Sequence, residues 1–176
     1  SLAITEQYLP IGLDSKVPKK AFSVALSITD KIDTIVGFFG INEKPTSSKD
    51  PLALRRTALG IIRTIIENKK KIKINDLLSY SSSLYHDQGN KLNNEELQKE
   101  LHNFFKDRFR YYLKEKEIRY DIIDALISSF SLNKLFSSFE KAKCLNKVIR
   151  SQIGMDINSS YKRASNILEH EMKNNE

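Results

Sequence analysis

Seven basic residues and one acid, Glu67, lie between positions 51 and 73, and this segment offers the chain's clearest chemistry. Guanidinium and ammonium groups at this density bind phosphate, and such contacts position a nucleic acid without reading its sequence. We predict a phosphate-binding strip, although a solvated helix face without a ligand has the same composition. The strip consists of Arg56, Arg63, Lys69, Lys70, Lys71 and Lys73.

The seventh basic residue of this segment is expected to have a structural role. On a helical wheel Arg55 falls between the apolar residues Leu59 and Ile62. A buried guanidinium needs an anionic partner. Asp30 and Asp33 flank the apolar stripe of the preceding predicted helix. We therefore predict an ion pair between Arg55 and one of these carboxylates, which would join the two helices.

The sequence lacks the usual motifs of metal and nucleophilic catalysis. It has no paired-cysteine zinc spacing, no glycine-rich phosphate loop and no glycine-flanked serine. His86-Asp87 resembles the pair that ligates metal in HD-type phosphohydrolases, but such sites need further His and Asp residues, and one dipeptide arises easily by chance. We predict no metal, no cofactor and no catalytic residue in this chain. An HD-type phosphohydrolase is the second alternative.

Two further basic stretches are explained by folding alone. Residues 106–112 mix cations with aromatic rings, as surfaces for single-stranded nucleic acids do. However, Phe105, Phe109 and Tyr112 recur at helical spacing, which predicts that they belong to the core. An ordinary solvated helix face is predicted for Lys141, Lys143, Lys147 and Arg150.

An all-α fold, an irregular bundle of about eight helices, is expected to position these residues. All four prolines lie in the first third of the chain, and from Leu52 onward the apolar residues recur every 3.6 residues. Asp50 before Pro51 predicts the start of the third helix, and Asn75 predicts the cap of the fourth. The helices are expected over about residues 1–8, 19–39, 51–67, 76–86, 94–113, 120–130, 132–151 and 159–173. We predict a division of the chain into 1–87 and 88–176.

Charge and composition limit the class of protein. The net charge of +7 and the pI near 9.4 favour polyanionic partners. No apolar run approaches the roughly 20 residues needed to cross a bilayer, so we expect a cytoplasmic protein. The single cysteine excludes an internal disulfide, and its neighbours Ala142, Leu145 and Val148 predict that Cys144 is buried. The chain opens without methionine, and we expect it to be a piece of a longer polypeptide.

Two long segments resemble a known family. Residues 26–39 read LSITDKIDTIVGFF and residues 45–60 read PTSSKDPLALRRTALG, and together they are similar to the signature of the bacterial glycyl-tRNA synthetase beta subunit. The shorter runs EQYLP at 6–10 and YKRASNIL at 161–168 extend the resemblance over essentially the whole chain. Gln7 stands where the family usually has His.

This resemblance implies a role in ATP-dependent attachment of glycine to tRNA by a two-subunit ligase. Residues 1–87 would be an HD-like helical domain and residues 88–176 a helical body segment of the beta subunit. The partners implied are tRNA(Gly), the alpha subunit and the remaining beta-subunit domains, while ATP and Mg would bind the alpha subunit. This piece alone would contribute tRNA binding and architecture, not catalysis. A purely structural scaffold that docks the alpha subunit is the first alternative.

The departure at Gln7 bears on the HD-like domain. A glutamine in place of histidine removes a potential metal ligand. Asp30 would then be the remaining vestige of the metal site. We therefore expect Asp30 to have a structural role.

Overall fold

The computed structural model describes residues 2–12, 14–46, 48–87 and 94–174, with the side chains at 86, 87, 94, 173 and 174 left undescribed. All regular structure in these ranges is helical, which confirms the all-α prediction and its count of eight α-helices. They are α1 (Leu2–Glu6), α2 (Ala21–Gly40), α3 (Leu54–Glu67), α4 (Ile74–Asp87), α5 (Asn94–Glu115), α6 (Tyr120–Ser128), α7 (Leu135–Ile149) and α8 (Gln152–Asn174), with a 3-10 turn at Leu132–Lys134. No helix in the described part is both long and apolar enough to cross a membrane.

One apolar core joins α2 to α7. Helix α3 packs against α2, α5 and α7, and α5 packs against α4 and α6 as well. The largest fully buried side chains are Ile35, Leu54, Ile61, Ile62, Ile65, Ile74, Leu78, Leu101, Phe105, Phe109, Leu113 and Ile123. This core contains residues from both sides of position 88. The division of the chain into 1–87 and 88–176 remains a prediction, and residues 88–93 lie outside the described part.

The aromatic residues of α5 belong to this core. Phe105, Phe109 and Tyr112 are all buried, as their spacing predicted. Arg110, from the same basic stretch, pairs with Asp124 of α6 at 2.6 Å. The rings are therefore covered by packing and are not available to stack on bases.

Cys144 of α7 is exposed, so the prediction that it is buried is wrong. Helix α7 turns Leu135, Phe139 and Ala142 toward the core. This face recurs at intervals of three and four residues, and position 144 falls away from it. Of the apolar neighbours on which the prediction rested, only Ala142 is buried, whereas Leu145 and Val148 are exposed, as Cys144 is.

Helix α3 begins at Leu54, three residues later than predicted, and its N-cap residue is Ala53, so the predicted start at Asp50-Pro51 is wrong, although Asp50 still bonds to the first turn. The Asp50 carboxylate accepts hydrogen bonds from the backbone N–H groups of Leu54 (2.8 Å) and Arg55 (3.0 Å). Pro51 and Leu52 form a turn over which this carboxylate reaches, and Ala53 has φ 53°. Asp50 thus satisfies donors of the first helical turn across an intervening turn.

Three helices end in the same hydrogen-bonded turn. At the end of α2, Asn42 and Glu43 donate to Phe39 and Phe38, and at the end of α3, Lys69 and Lys70 donate to Ile66 and Ile65. At the end of α5, Glu117 and Ile118 donate to Lys114 and Leu113. The residue in the left-handed region is Asn42, Lys69 or Glu117, respectively. This is the Schellman arrangement, which satisfies the last carbonyl groups of a helix.

Helix α8 begins at Gln152, seven residues before its predicted start at 159. The position of Gly154 explains the difference. A Cβ atom added at Gly154 would lie 2.1 Å from the Val148 carbonyl oxygen. Glycine is therefore required inside the first turn of α8, where it lets the helix approach the end of α7.

Candidate nucleic-acid interface

Arg63 lies inside the protein, so the prediction that it faces phosphate is wrong. Only 8% of the residue is exposed. Its Nε donates to the Glu67 carboxylate at 2.9 Å, and its two terminal nitrogens donate to the backbone oxygens of Gly12 (2.6 Å) and Ser15 (2.7 Å). Arg63 thereby fixes the segment that precedes α2 onto α3, with its guanidinium charge balanced by Glu67.

Arg55 also differs from its predicted role. Its guanidinium donates to the backbone oxygens of Thr46 and Lys49. In the described part of the chain it forms no ion pair with Asp30 or Asp33, and both carboxylates lie on the exposed side of α2. The predicted ion pair is therefore wrong, because the loop before α3 supplies carbonyl acceptors closer to Arg55 than the carboxylates of α2.

The predicted strip is divided into two separate places. Arg56 stands in the first turn of α3, whereas Lys69–Lys73 follow its last turn, about 20 Å away at the helical rise per residue. Arg63, which would connect them, is buried. The six residues therefore do not form one continuous surface.

Arg56 lines an open cleft of about 350 Å³, here called the Arg56 cleft. Its walls come from the segment before α2, from α2 and from the start of α3. The lining residues are Tyr8, Pro10, Ile11, Asp30, Lys31, Thr34, Ala53, Arg56 and Thr57. One carboxylate and two cations thus share this site.

Lys31 is the buried cation of the Arg56 cleft. Its Nζ donates to the Gln7 carbonyl oxygen (2.7 Å) and to the Ser27 hydroxyl (2.9 Å). Burial lowers the pKa of Lys31 to about 8, and the nearby Asp30 carboxylate opposes this shift only in part. Two hydrogen bonds, one to the backbone of Gln7 and one to the Ser27 side chain, thus hold the Lys31 amine in the cleft.

A metal site is not supported by the groups around Asp30. Lys31 and Arg56 line the same cleft, and their positive charges oppose a metal cation. In the ranges that are described, no three His, Cys, Asp or Glu side chains approach closely enough to hold an ion together. The side chains of His86 and Asp87 lie outside the described residues.

The lysines after α3 project from a turn that is held firmly at both ends. The Schellman turn at Lys69 fixes its start. At its end Ile72 is partly buried against the core and Ile74 is fully buried. Lys73, on the outside, lies 4.0 Å from Asp76, and both side chains are largely exposed. An exposed pair at this distance contributes little to stability.

Lys70 and Lys71 form one wall of a second open cleft of about 360 Å³, and the start of α7 forms the other. We call it the lysine cleft. Lys134 and Lys141 are its cations on the α7 side. The full lining is Lys70, Lys71, Ile72, Asn133, Lys134, Leu135, Phe136, Ser137 and Lys141.

Apolar anchors and one asparagine hold the two walls of the lysine cleft together. Leu132 and Leu135 are buried on either side of Lys134. The Asn133 side-chain oxygen accepts a hydrogen bond from the Asn75 backbone N–H at 2.9 Å. The prediction that Asn75 itself caps α4 is therefore wrong, because Asn133, in the 3-10 turn before α7, performs this role.

The lysine cleft has the composition of a phosphate site. None of its described lining residues is acidic, and its four lysines form no ion pair in the described part of the chain. Ser137 lies between Lys134 and Lys141 on the same helical face, and Phe136 provides a partly buried aromatic ring. Four ammonium groups around one concavity attract a polyanion, and a ring can support a ribose or a base.

In the sequence Lys70 and Lys71 follow the predicted end of the third helix, but their partners in the lysine cleft are not evident there. The sequence predicts an ordinary solvated helix face for Lys141 and, taken alone, no function for Lys134. The spacing of 134, 137 and 141 puts three polar residues on one side of a helix, which is the available signal. Their proximity to Lys70 depends on the packing of α7 near the end of α3.

Comparison with known proteins identifies the family of this chain. The family described as glycyl-tRNA synthetase beta subunit matches residues 1–128. The glycine–tRNA ligase beta subunit of Rhodospirillum centenum is 38% identical over 171 residues, which is 97% of this chain and 23% of that protein. Its counterpart from Rickettsia canadensis is 42% identical over 168 residues, or 94% of this chain and 24% of that protein. The chain thus spans about a quarter of the length of these relatives, and it belongs to the glycyl-tRNA synthetase beta subunit family.

Proposed function

We propose that this chain binds the phosphate backbone of tRNA through the lysine cleft, as part of the beta subunit of a two-subunit glycine–tRNA ligase. The observation that carries the proposal is the convergence of Lys70, Lys71, Lys134 and Lys141 on one cleft without an acidic lining residue. The names of the matching relatives support the choice of tRNA among polyanions.

The intact enzyme would attach glycine to tRNA(Gly) in an ATP-dependent reaction in the cytoplasm. The alpha subunit would hold ATP and Mg, and the remaining beta-subunit domains would complete the tRNA-binding surface. This chain would supply binding and architecture, and its N-terminal half would have an HD-like fold without metal chemistry. Arg56 would add a second, separate contact, since it is exposed and forms no ion pair in the described part of the chain.

A salt titration of tRNA binding tests this proposal. In the full-length two-subunit enzyme, the four cleft lysines are changed together to Gln. Because each phosphate contact releases about one counterion, the slope of log K against log salt should become shallower by about 1–3. Affinity near 0.15 M salt should fall by about tenfold or more.

The control variant removes the same charge elsewhere. It changes Lys16, Lys20, Lys99 and Lys147 to Gln, all exposed and without an ion pair in the described structure. If both quadruple variants changed the slope equally, only net charge would matter. That outcome, or an unchanged slope in the cleft variant, would contradict the assignment of the lysine cleft.

A further inference from the structure

Helix α8 carries an apolar stripe that nothing in the described structure covers. Its 23 residues run from Gln152 to Asn174. The members of the stripe are all exposed and recur every three or four residues, so they share one face about 28 Å long. We call it the α8 stripe: Ile153, Ile157, Tyr161, Ala164, Leu168 and Met172.

The exposure of these side chains is high for apolar residues. Ile157 is 62% exposed, Leu168 64% and Met172 71%. The opposite face carries polar residues, including Lys162, Asn166 and Glu169. Helix α8 is therefore amphipathic, and its apolar side is exposed in the described structure. Soluble proteins rarely leave a contiguous apolar patch of this length without a partner.

Contacts with the rest of the described chain are confined to the beginning of α8. The helix packs against α7 and against no other described helix. Among the described residues of α8 only Gly154 is buried, and it lies against Val148 and Ile149 at the end of α7. Most of α8 thus lies outside the helical body, and a helix without packing partners is only marginally stable in water.

We propose that the α8 stripe docks onto another part of the same beta-subunit polypeptide, through an apolar surface of complementary shape. The proposal rests on family membership and does not depend on the lysine cleft. The Rhodospirillum centenum relative matches 97% of this chain, so α8 lies within the shared sequence, and this match is 23% of that protein. About three quarters of the related polypeptide is therefore available to cover the stripe.

Chain connectivity favours this occupant over a second copy of the protein. A surface on the same polypeptide is held near α8 at an effective concentration that reaches the millimolar range, whereas a second copy must bind from solution. A nucleic acid is a poor occupant because the stripe offers its phosphates no cation. The lysine cleft, in contrast, has the composition suited to phosphate.

Amide hydrogen exchange in the full-length beta subunit tests the docking. We expect slow exchange across residues 152–174 in the wild-type subunit, independent of protein concentration. Changing Ile157 and Leu168 together to Asp should accelerate exchange there by at least tenfold. The same pair changed to Ala should also accelerate it, and since Ala favours helix, weakened helix propensity could not explain that result.

The matched control places the same two charges on the opposite face of α8. Ser159 and Asn166 are changed to Asp, and slow exchange should persist. The proposal is overturned by rapid exchange of α8 in the wild-type subunit, or by equal acceleration in the control. It is also overturned if slow exchange disappears on dilution, which would identify a second copy. Slow exchange that arises only with added alpha subunit or tRNA would likewise overturn it and identify that partner.

Discussion

The Arg63 guanidinium joins α3 to the segment before α2 by hydrogen bonds to Gly12, Ser15 and Glu67. A helical wheel of α3 predicts that Arg55 is buried and that Arg63 is exposed. In the structure Arg55 bonds to the loop before α3, and the segment before α2 covers Arg63. A wheel describes a helix in isolation. It contains no information about a segment that covers the helix from about 50 positions earlier in the chain.

Replacing Arg63 with Met should lower the free energy of unfolding of this chain by about 3 kcal/mol. The change leaves two backbone oxygens and a carboxylate without their donor. Arg56 to Met is the control, because Arg56 is exposed, and it should change stability by less than about 0.5 kcal/mol. Urea unfolding of both variants measures the difference. Equal losses would show that the Arg63 contacts do not stabilise the fold.

Lys31 should give the chain a specific dependence of stability on pH. Its pKa in the folded protein is lowered to about 8 from an ordinary value of 10.5. Between these values the unfolded chain binds the proton and the folded chain does not, so stability rises with pH.

Comparison with Lys31 to Met isolates this effect, since all other groups titrate alike in both proteins. Between about pH 7.5 and 10.5 the wild type should gain on the order of 2 kcal/mol relative to the variant. Chemical unfolding at several pH values provides the measurement. A constant difference between the two proteins would mean that Lys31 keeps its ordinary pKa.

At the scale of elements, the caps determine where helices begin and end. The Asp50 carboxylate bonds to α3 across a turn, and Asn133 bonds to α4 from the 3-10 turn before α7. Apolar spacing predicted the helices because burial of one face is what holds each of them. It could not predict these boundaries, since a cap from a residue 58 positions away leaves no local signal. The left-handed turn at Lys69 is equally hidden, because lysine is not typical of that position.

Removal of the Asp50 carboxylate should destabilise α3. Asp50 to Ala leaves the N–H groups of Leu54 and Arg55 without their acceptor and should cost about 1 kcal/mol. Asp14 to Ala, in an exposed position with no hydrogen bond among the described residues, is the control and should be nearly neutral. Thermal unfolding of both variants measures the effect. If Asp14 and Asp50 behaved alike, the carboxylate would not act as a cap.

At the scale of the whole molecule, the fold brings cations together that the sequence separates. Lys70 and Lys71 meet Lys134 and Lys141 because α7 packs against α3 and the 3-10 turn packs against α4. Sequence patterns predicted a basic, all-α protein of this family. They also singled out Lys70 and Lys71, the two cations on one wall of the lysine cleft. The other wall depends on tertiary packing between segments more than 60 residues apart. Arg56, at the other end of α3, contributes to a different cleft.

Photo-crosslinking of tRNA to the intact two-subunit enzyme, followed by peptide mapping, tests the central claim most directly. The account predicts crosslinks to peptides that contain residues 70–71 and 134–141, weakened when the four cleft lysines are changed to Gln. Efficient crosslinking elsewhere in the enzyme, with none on these two peptides, would contradict it.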